Sequence, residues 1–190
     1  MYKDINFLEY QQKFATDADC HDYLFKRRWP DGFECPKCQC IDYSYISTRQ
    51  LYQCKDCRYQ CSLIVGTIFE STKTQLVKWF WMIFLTANSK NGYSSLAFTT
   101  LLSISYGTAL SMTHKIRTAM AARDAKYQLS GLVEMDDALF GGKNHKGKRG
   151  RGSENKSTVI VGVQLSKKNE RPQFVDMIQV EDLSEETVKE

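Results

Sequence analysis

The 190-residue sequence is bounded first by what it lacks. It has no internal repeat and no low-complexity tract, and it holds only 3 prolines. With 42% hydrophobic and 25% charged residues, its composition is that of an ordinary globular chain, which excludes collagen-like and disordered classes. Long hydrophobic runs are missing as well. The greasiest stretch, residues 76–87, is interrupted by Lys78 and is too short to span a bilayer. Residues 1–15 carry no apolar run of the signal-peptide kind. A large net charge is absent too, since 26 Lys and Arg against 22 Asp and Glu leave +4.

That small net charge conceals an uneven distribution. Residues 1–169 hold 24 basic and 15 acidic residues, whereas residues 170–190 hold 2 basic and 7 acidic. A basic body of this size suits a polyanionic partner.

What the sequence does have is cysteine, 7 in all. Without an export signal they are expected in a reducing, cytoplasmic compartment, where their spacing reads as metal chemistry before disulfides. Cys35-Pro36-Lys37-Cys38 and Cys54-Lys55-Asp56-Cys57 are separated by 15 residues. Thiolates two residues apart converge from one tight turn onto one ion, and two such turns complete a tetrahedral four-sulfur shell suited to zinc. A closed shell leaves no open position, so this zinc is expected to be structural and to supply folding energy. Cys20, Cys40 and Cys61 remain as small apolar residues, with Cys40 and Cys61 near enough for ligand exchange. Gln39 and Arg58 stand where such turns favour glycine, which predicts local backbone strain. Tyr43, Tyr45, Arg49, Tyr52, Lys55, Arg58 and Tyr59 interleave aromatic and basic groups. That mixture serves a small β-unit short of core, or a surface that lies on phosphates and stacks on bases.

Apolar spacing predicts helix over residues 7–26, with cap chemistry at 16–20 able to break it in two. Trp29-Pro30-Asp31-Gly32 marks a turn. Residues 33–70 read as short strands. Residues 74–88 read as a helix apolar nearly all round, hence buried. Two further helices, near 94–102 and 105–122, resemble a helix-turn-helix. Phe98, Leu102, Ile104, Ala109 and Met112 fall at its inward positions, and Ser105 caps the second helix. Tyr106, Gly107, Thr108, Ser111 and Lys115 would face outward, with His114, Arg117 and Arg123 nearby, to read a DNA major groove. Thr99 and Ser103 depart from the motif, which prefers a small residue and a glycine there. Any helical hairpin gives a similar pattern.

Strands are expected at 132–140, 158–165 and 173–180, with a helix starting at Ser184. In the first strand, alternation puts Glu134 and Asp136 on one face and Asp137 on the other. Carboxylates in an apolar strand are costly to bury unless they bind a cation such as Mg²⁺. A solvated acidic face is the plainer alternative. The following loop, with Lys143, His145, Lys146, Lys148, Arg149 and Arg151 among glycines, is either a solvated charge run or a grip on DNA phosphates.

The order of these parts resembles the bacterial insertion-sequence transposases that have an N-terminal zinc ribbon and a DDE, RNase H-like catalytic domain. The resemblance rests on Arg28-Trp29-Pro30-Asp31-Gly32-Phe33 before the first cysteine pair and on residues 51–60 around the second. It continues through Gly66-Thr67-Ile68-Phe69, Lys78-Trp79-Phe80-Trp81, Ile104-Ser105-Tyr106 and His114-Lys115-Ile116-Arg117. It ends with Val133-Glu134-Met135-Asp136-Asp137 and Phe140-Gly141-Gly142-Lys143.

The resemblance implies a multi-part α+β chain. Residues 1–30 would be an N-terminal helical segment and 31–70 a zinc ribbon. Residues 71–128 would be a helix-turn-helix-like DNA-binding region, and 129–190 the first three strands of an RNase H-like α/β domain. It implies that Asp136, with Glu134 beside it, is the first carboxylate of a Mg²⁺ or Mn²⁺ site, although the family usually has Glu where Asp137 stands. The later carboxylates would lie beyond the helix at Ser184, so the expectation is a truncated, catalytically incomplete copy. Its expected partner is double-stranded DNA at transposon terminal repeats, in a homo-oligomeric complex near the nucleoid and away from membranes. The alternative is a stand-alone zinc-ribbon and helix-turn-helix binder that does no chemistry.

Overall fold

A computed structural model describes residues 5–142, 156–168 and 170–184. The basic loop with Lys143, Lys146, Lys148, Arg149 and Arg151 lies outside the described residues, as does the helix expected after Ser184. The described residues form a mixed α+β structure with five helices and two three-stranded antiparallel sheets. The helices are α1 (Phe7–Lys13), α2 (Asp17–Arg28), α3 (Leu76–Asn88), α4 (Ser95–Leu102) and α5 (Tyr106–Asp124). The first sheet holds β1 (Tyr43–Ile46), β2 (Leu51–Cys54) and β3 (Gln60–Ser62). The second holds β4 (Val133–Phe140), β5 (Ser157–Leu165) and β6 (Pro172–Val180). The chain divides into two compact units, residues 1–120 and 121–190. Among the described residues, no helix is long and apolar enough to cross a membrane.

In the first unit the N-terminal helix does break at residue 16. Thr16 Oγ1 accepts a hydrogen bond from the Asp19 N–H at 3.2 Å, and the Asp19 carboxylate accepts from the Thr16 N–H at 2.8 Å. This reciprocal cap satisfies two donors that a helix start would otherwise leave orphaned. Asn6 and Glu9 repeat the device at the start of α1. The freed helix α1 lies against α3. Tyr10 stacks on Phe84 with centroids 4.2 Å apart, and its hydroxyl donates to the Phe80 carbonyl at 2.6 Å. Burial, with Cys20 and Tyr23 nearby, holds the Tyr10 phenol well above its usual range.

Helix α3 is the centre of this core, as its all-round apolar pattern requires. Trp79, Phe80 and Met82 are buried, while Trp81, Ile83, Phe84 and Leu85 pack at the rim. Residues Phe98, Ala109, Met112 and Ile116 close the other side, so the N-terminal helices and α3–α5 share one core. Each large apolar side chain buried this way contributes about 1.5–3 kcal/mol. The start of α3 has no side-chain cap of its own at Gln75. The cap comes from α2, where Asp17 Oδ1 accepts from the Val77 N–H at 3.0 Å. In the α4–α5 hairpin, Ser103 adopts φ 49° and ψ 58°, the left-handed conformation glycine usually supplies at a helix end. Ser105 Oγ then accepts from the Thr108 N–H at 3.2 Å and caps α5.

The second unit is a meander, β4–β5–β6. Register fixes its faces, because directly paired residues point the same way. Glu134 pairs with Val163 and Asp136 with Val161, and these pair onward with Val175 and Met177. The opposite face carries Met135, Gly162 and Asp176 in one row, with Asp137 opposite Ile160. A Cβ at Gly162 would lie 2.8 Å from Leu129 Cδ1, so a larger residue there would push the end of the Leu129 side chain aside.

Candidate metal centre and nucleic-acid surfaces

The four predicted cysteines converge. The Sγ atoms of Cys35, Cys38, Cys54 and Cys57 all lie within 4.8 Å of one another. Cys35 and Cys57 are 3.6 Å apart, and Cys38 and Cys54 3.5 Å. A tetrahedron with zinc–sulfur bonds of about 2.3 Å has edges near 3.8 Å, so the donor set fits a single zinc ion.

The backbone shows why. Each pair sits on a turn built by the same bonds. The Cys35 N–H donates to the Cys40 carbonyl at 3.0 Å, and the Cys54 N–H donates to the Tyr59 carbonyl at 2.9 Å, five residues on in both. Gln39 and Arg58, each four residues after the first cysteine, have φ 63° and 60°. These are the two positions where the absence of glycine predicted strain, and both side chains are held in the left-handed region.

Burial opposes charge on the Cys54 thiol. The N–H groups of Cys57 and Asp56 and the Cys38 and Cys57 thiols outweigh it and bring the thiol down to about 6. Cys35 is shifted down by the same balance, with burial opposing and the Lys37 and Cys38 N–H groups favouring the thiolate. Cys38 goes the other way: against the pull of the Cys40 N–H, the Cys57, Cys54 and Cys35 thiols and burial push it up to about 12, so a bound metal would displace a proton there.

Of the remaining cysteines, Cys20 and Cys61 point elsewhere, whereas the Cys40 thiol also interacts with that of Cys54. The Cys61 thiol donates to the Tyr52 carbonyl at 3.6 Å within the ribbon core, the Cys40 thiol lies 3.9 Å from the Asp42 carbonyl, and Cys20 is buried in the helical core. Burial pushes the Cys20 thiol up to about 12. The small core around the cluster is Phe33, Tyr52 and Leu63, joined by Phe25 and Trp29 from the α2 end. Arg28 clasps it, donating from Nη1 to the carbonyls of Leu63 at 2.8 Å and Val65 at 2.7 Å.

The helix-turn-helix positions divide into two groups. Phe98, Leu102, Ala109 and Met112 are buried, as the pattern requires. Tyr106 and Ser111 are exposed. Thr108 and Lys115 are half-buried. The Lys115 ammonium donates to the Glu70 carbonyl at 2.7 Å and lies 6.0 Å from the Trp79 ring. A concavity of about 310 Å³ at the start of α5 is lined by Thr108, Ser111 and Lys115 together with residues 71–74. Sequence reasoning did not single out Lys73, which lines the same concavity. Its signal was a cation among Ser71, Thr72 and Thr74 just ahead of an apolar helix.

On β4, Glu134 and Asp136 are both exposed and share one face. Their Cα atoms are two residues apart on an extended strand, roughly 7 Å. Asp136 Oδ1 accepts from the Asp137 N–H at 2.8 Å. Asp176 sits on the opposite face.

Residues 15–60 match the family model of a transposase zinc-ribbon domain of the IS1595 type, and residues 128–190 match an ISXO2-like transposase domain. An uncharacterized protein in transposable element ISH50 of Halobacterium salinarum is 28% identical over 128 residues. That alignment covers 65% of this chain and 42% of the relative, so the chain spans less than half of the relative's length. No solved structure matches the chain significantly. In order along the chain, the two matched models are thus a zinc-ribbon and a transposase domain of insertion-sequence transposases, which is the family this chain resembles.

Proposed function

We propose that the chain is a DNA-binding transposase polypeptide whose ribbon holds a structural zinc ion. The observation that carries this reading is one chain combining two features. A four-thiol tetrahedron lies within the zinc-ribbon match, and an exposed Glu134–Asp136 pair lies within the transposase-domain match. The proposed organisation is an N-terminal helical segment at 1–30, the ribbon at 31–70, a helix-turn-helix-like region at 71–128 and part of an RNase H-like domain at 129–190. Double-stranded DNA at transposon ends is the proposed partner.

Asp136, supported by Glu134, is the proposed holder of Mg²⁺ or Mn²⁺. Both groups are oxygen donors on a rigid strand, the ligand type these ions take. The chemistry that an ion held there would supply is polarisation of a scissile phosphate and activation of an attacking hydroxyl. The chain's own contribution is to fix two carboxylates on a strand with an apolar surround. Outward-facing α5 residues, Tyr106 and Ser111 above all, are the proposed DNA contacts, with Thr108 and Lys115 at the margin.

One observation favours a second reading, a binder that does no chemistry. On the face of Glu134 and Asp136, the paired residues of β5 and β6 are Val163, Val161, Val175 and Met177, so no third strand-borne carboxylate stands beside the pair among the described residues.

The test is duplex binding by zinc-loaded protein, followed by a Mn²⁺-dependent strand-cleavage assay. Duplex affinity that falls steeply with salt supports DNA binding. Cleavage lost in Asp136→Asn supports the transposase reading. Duplex binding without cleavage selects the second reading, and no duplex affinity at low salt overturns both.

A further inference from the structure

Three concavities in the first unit join into one furrow. The first, about 500 Å³, lies between α2 and the ribbon and is lined by Tyr43, Tyr45, Tyr52 and His21. The second, about 430 Å³, shares Asp17, His21 and Gln50 with it and adds Arg49 and Lys73. The third is the concavity at the start of α5, which shares Thr72, Lys73 and Thr74 with the second. Each lies within the range of about 300–1,000 Å³ typical of sites for small organic groups.

The chemistry changes along the furrow. At the ribbon end it is aromatic. Tyr43 and Tyr45 are 38% and 44% exposed, and His21 lies nearly parallel to Tyr52, with centroids 6.0 Å apart and planes at 20°. From the middle to the α5 end it is cationic, through Arg49, Lys73 and Lys115. Two carboxylates also line it. Asp17 is committed to capping α3. Asp22 sits at the aromatic end, where an acceptor meets the amino groups of bases and not the phosphates.

We propose that this furrow binds an unpaired DNA strand, with bases stacked on the Tyr43–Tyr45 end and phosphates running past Arg49 and Lys73 to the start of α5. Stacking on an exposed tyrosine needs a free base face, which a closed duplex does not offer. Every nucleotide carries both a base and a phosphate, so a strand along the furrow can stack bases at one end while the phosphates of neighbouring nucleotides meet the cations further on. The inference rests on the DNA-binding reading above and deepens it by naming the form of DNA and the residues that take it.

The experiment is fluorescence anisotropy of the full chain with a labelled oligothymidylate of roughly a dozen nucleotides, run beside a duplex of the same length. The expected result is strand binding that weakens about tenfold in Tyr45→Ala and is retained in Tyr45→Phe, since the ring carries the contact. Lys73→Ala is expected to lower the salt slope of strand binding by about 0.7, the value of one single-strand phosphate contact. Lys73 is exposed and belongs to neither buried core, so this second variant tests the furrow even if Tyr45→Ala unfolds. Duplex binding with no strand binding, or strand binding unchanged in both Tyr45→Ala and Lys73→Ala, overturns the furrow and leaves the DNA-binding reading standing. Loss of both probes in the unaltered protein overturns both.

Discussion

The two three-stranded antiparallel sheets among the described residues are stabilised in different ways. The ribbon sheet has strands of only 3 or 4 residues, yet it encloses Tyr52, Cys54 and Cys61 as buried residues. The sheet of the second unit has strands of 8 and 9 residues with full ladders, yet Met135, Phe140, Phe174, Val175, Met177 and Ile178 are all more than half exposed. These exposed residues lie on both of its faces. Strand length and β-propensity thus make a ladder but not a core. A core needs a second layer or a chemical staple, and the ribbon has α2 on one side and four thiols at its end.

The largest test of this contrast is to remove the staple. Cys54→Ser, or a strong chelator, is expected to unfold residues 33–63 and abolish stoichiometric zinc, because structural zinc binding supplies about 10–16 kcal/mol in small metal domains. Metal content and circular dichroism unchanged by the substitution would break the contrast. Next in size is a matched pair of truncations. Trp79→Ala in the shared helical core is expected to cost about 3–5 kcal/mol, whereas Met177→Ala on the exposed sheet should stay within about 0.5 kcal/mol. Denaturant midpoints would separate the two. Hydrogen exchange then compares the sheets directly. Amides of β4–β6 are expected to exchange roughly a hundredfold faster than those of β2 and β3, and equal protection would erase the distinction.

A smaller effect sharpens the account of the ribbon turns. Gln39→Gly is expected to stabilise the fold by about 1 kcal/mol, since glycine adopts φ 63° without a Cβ penalty. The smallest effect concerns pH. Burial lowers the His21 pKa, against the opposing pull of Asp22 and Asp17. The unfolded chain therefore takes up the proton first. The stability linked to His21 is present above its unfolded value of about 6.5 and is lost as pH falls through the folded value. His21→Phe should flatten that part of the pH–stability curve, read as the difference between the two proteins.

Local chemistry was legible in the sequence. The paired cysteines, the Thr16 break, the α4–α5 hairpin and the three strands of the second sheet appear where residue type and spacing put them. The strain at Gln39 and Arg58 was readable from two missing glycines. Residues whose partners lie far along the chain were not legible. Nothing near Asp17 shows that it caps a helix 60 residues away. Nothing near Lys115 shows that its ammonium turns back to the Glu70 carbonyl, so an outward-reading lysine is found half-buried. Arg28 belongs to the motif that leads into the first cysteine pair, yet its contacts are the carbonyls of Leu63 and Val65. A helical wheel or a cysteine count carries no term for such crossings.

The Asp17–Val77 hydrogen bond has a kinetic consequence. The segment it closes contains the whole ribbon, from Phe33 to Leu63. Closing a long flexible loop costs entropy that grows with its length, and contacts of high sequence separation slow folding. A ribbon collapsed around a metal would shorten the flexible part of that loop to residues 18–32 and 64–76 on either side. With zinc in the ribbon, metal capture would come first and docking of α2 on the start of α3 second, so zinc would speed assembly of the helical core.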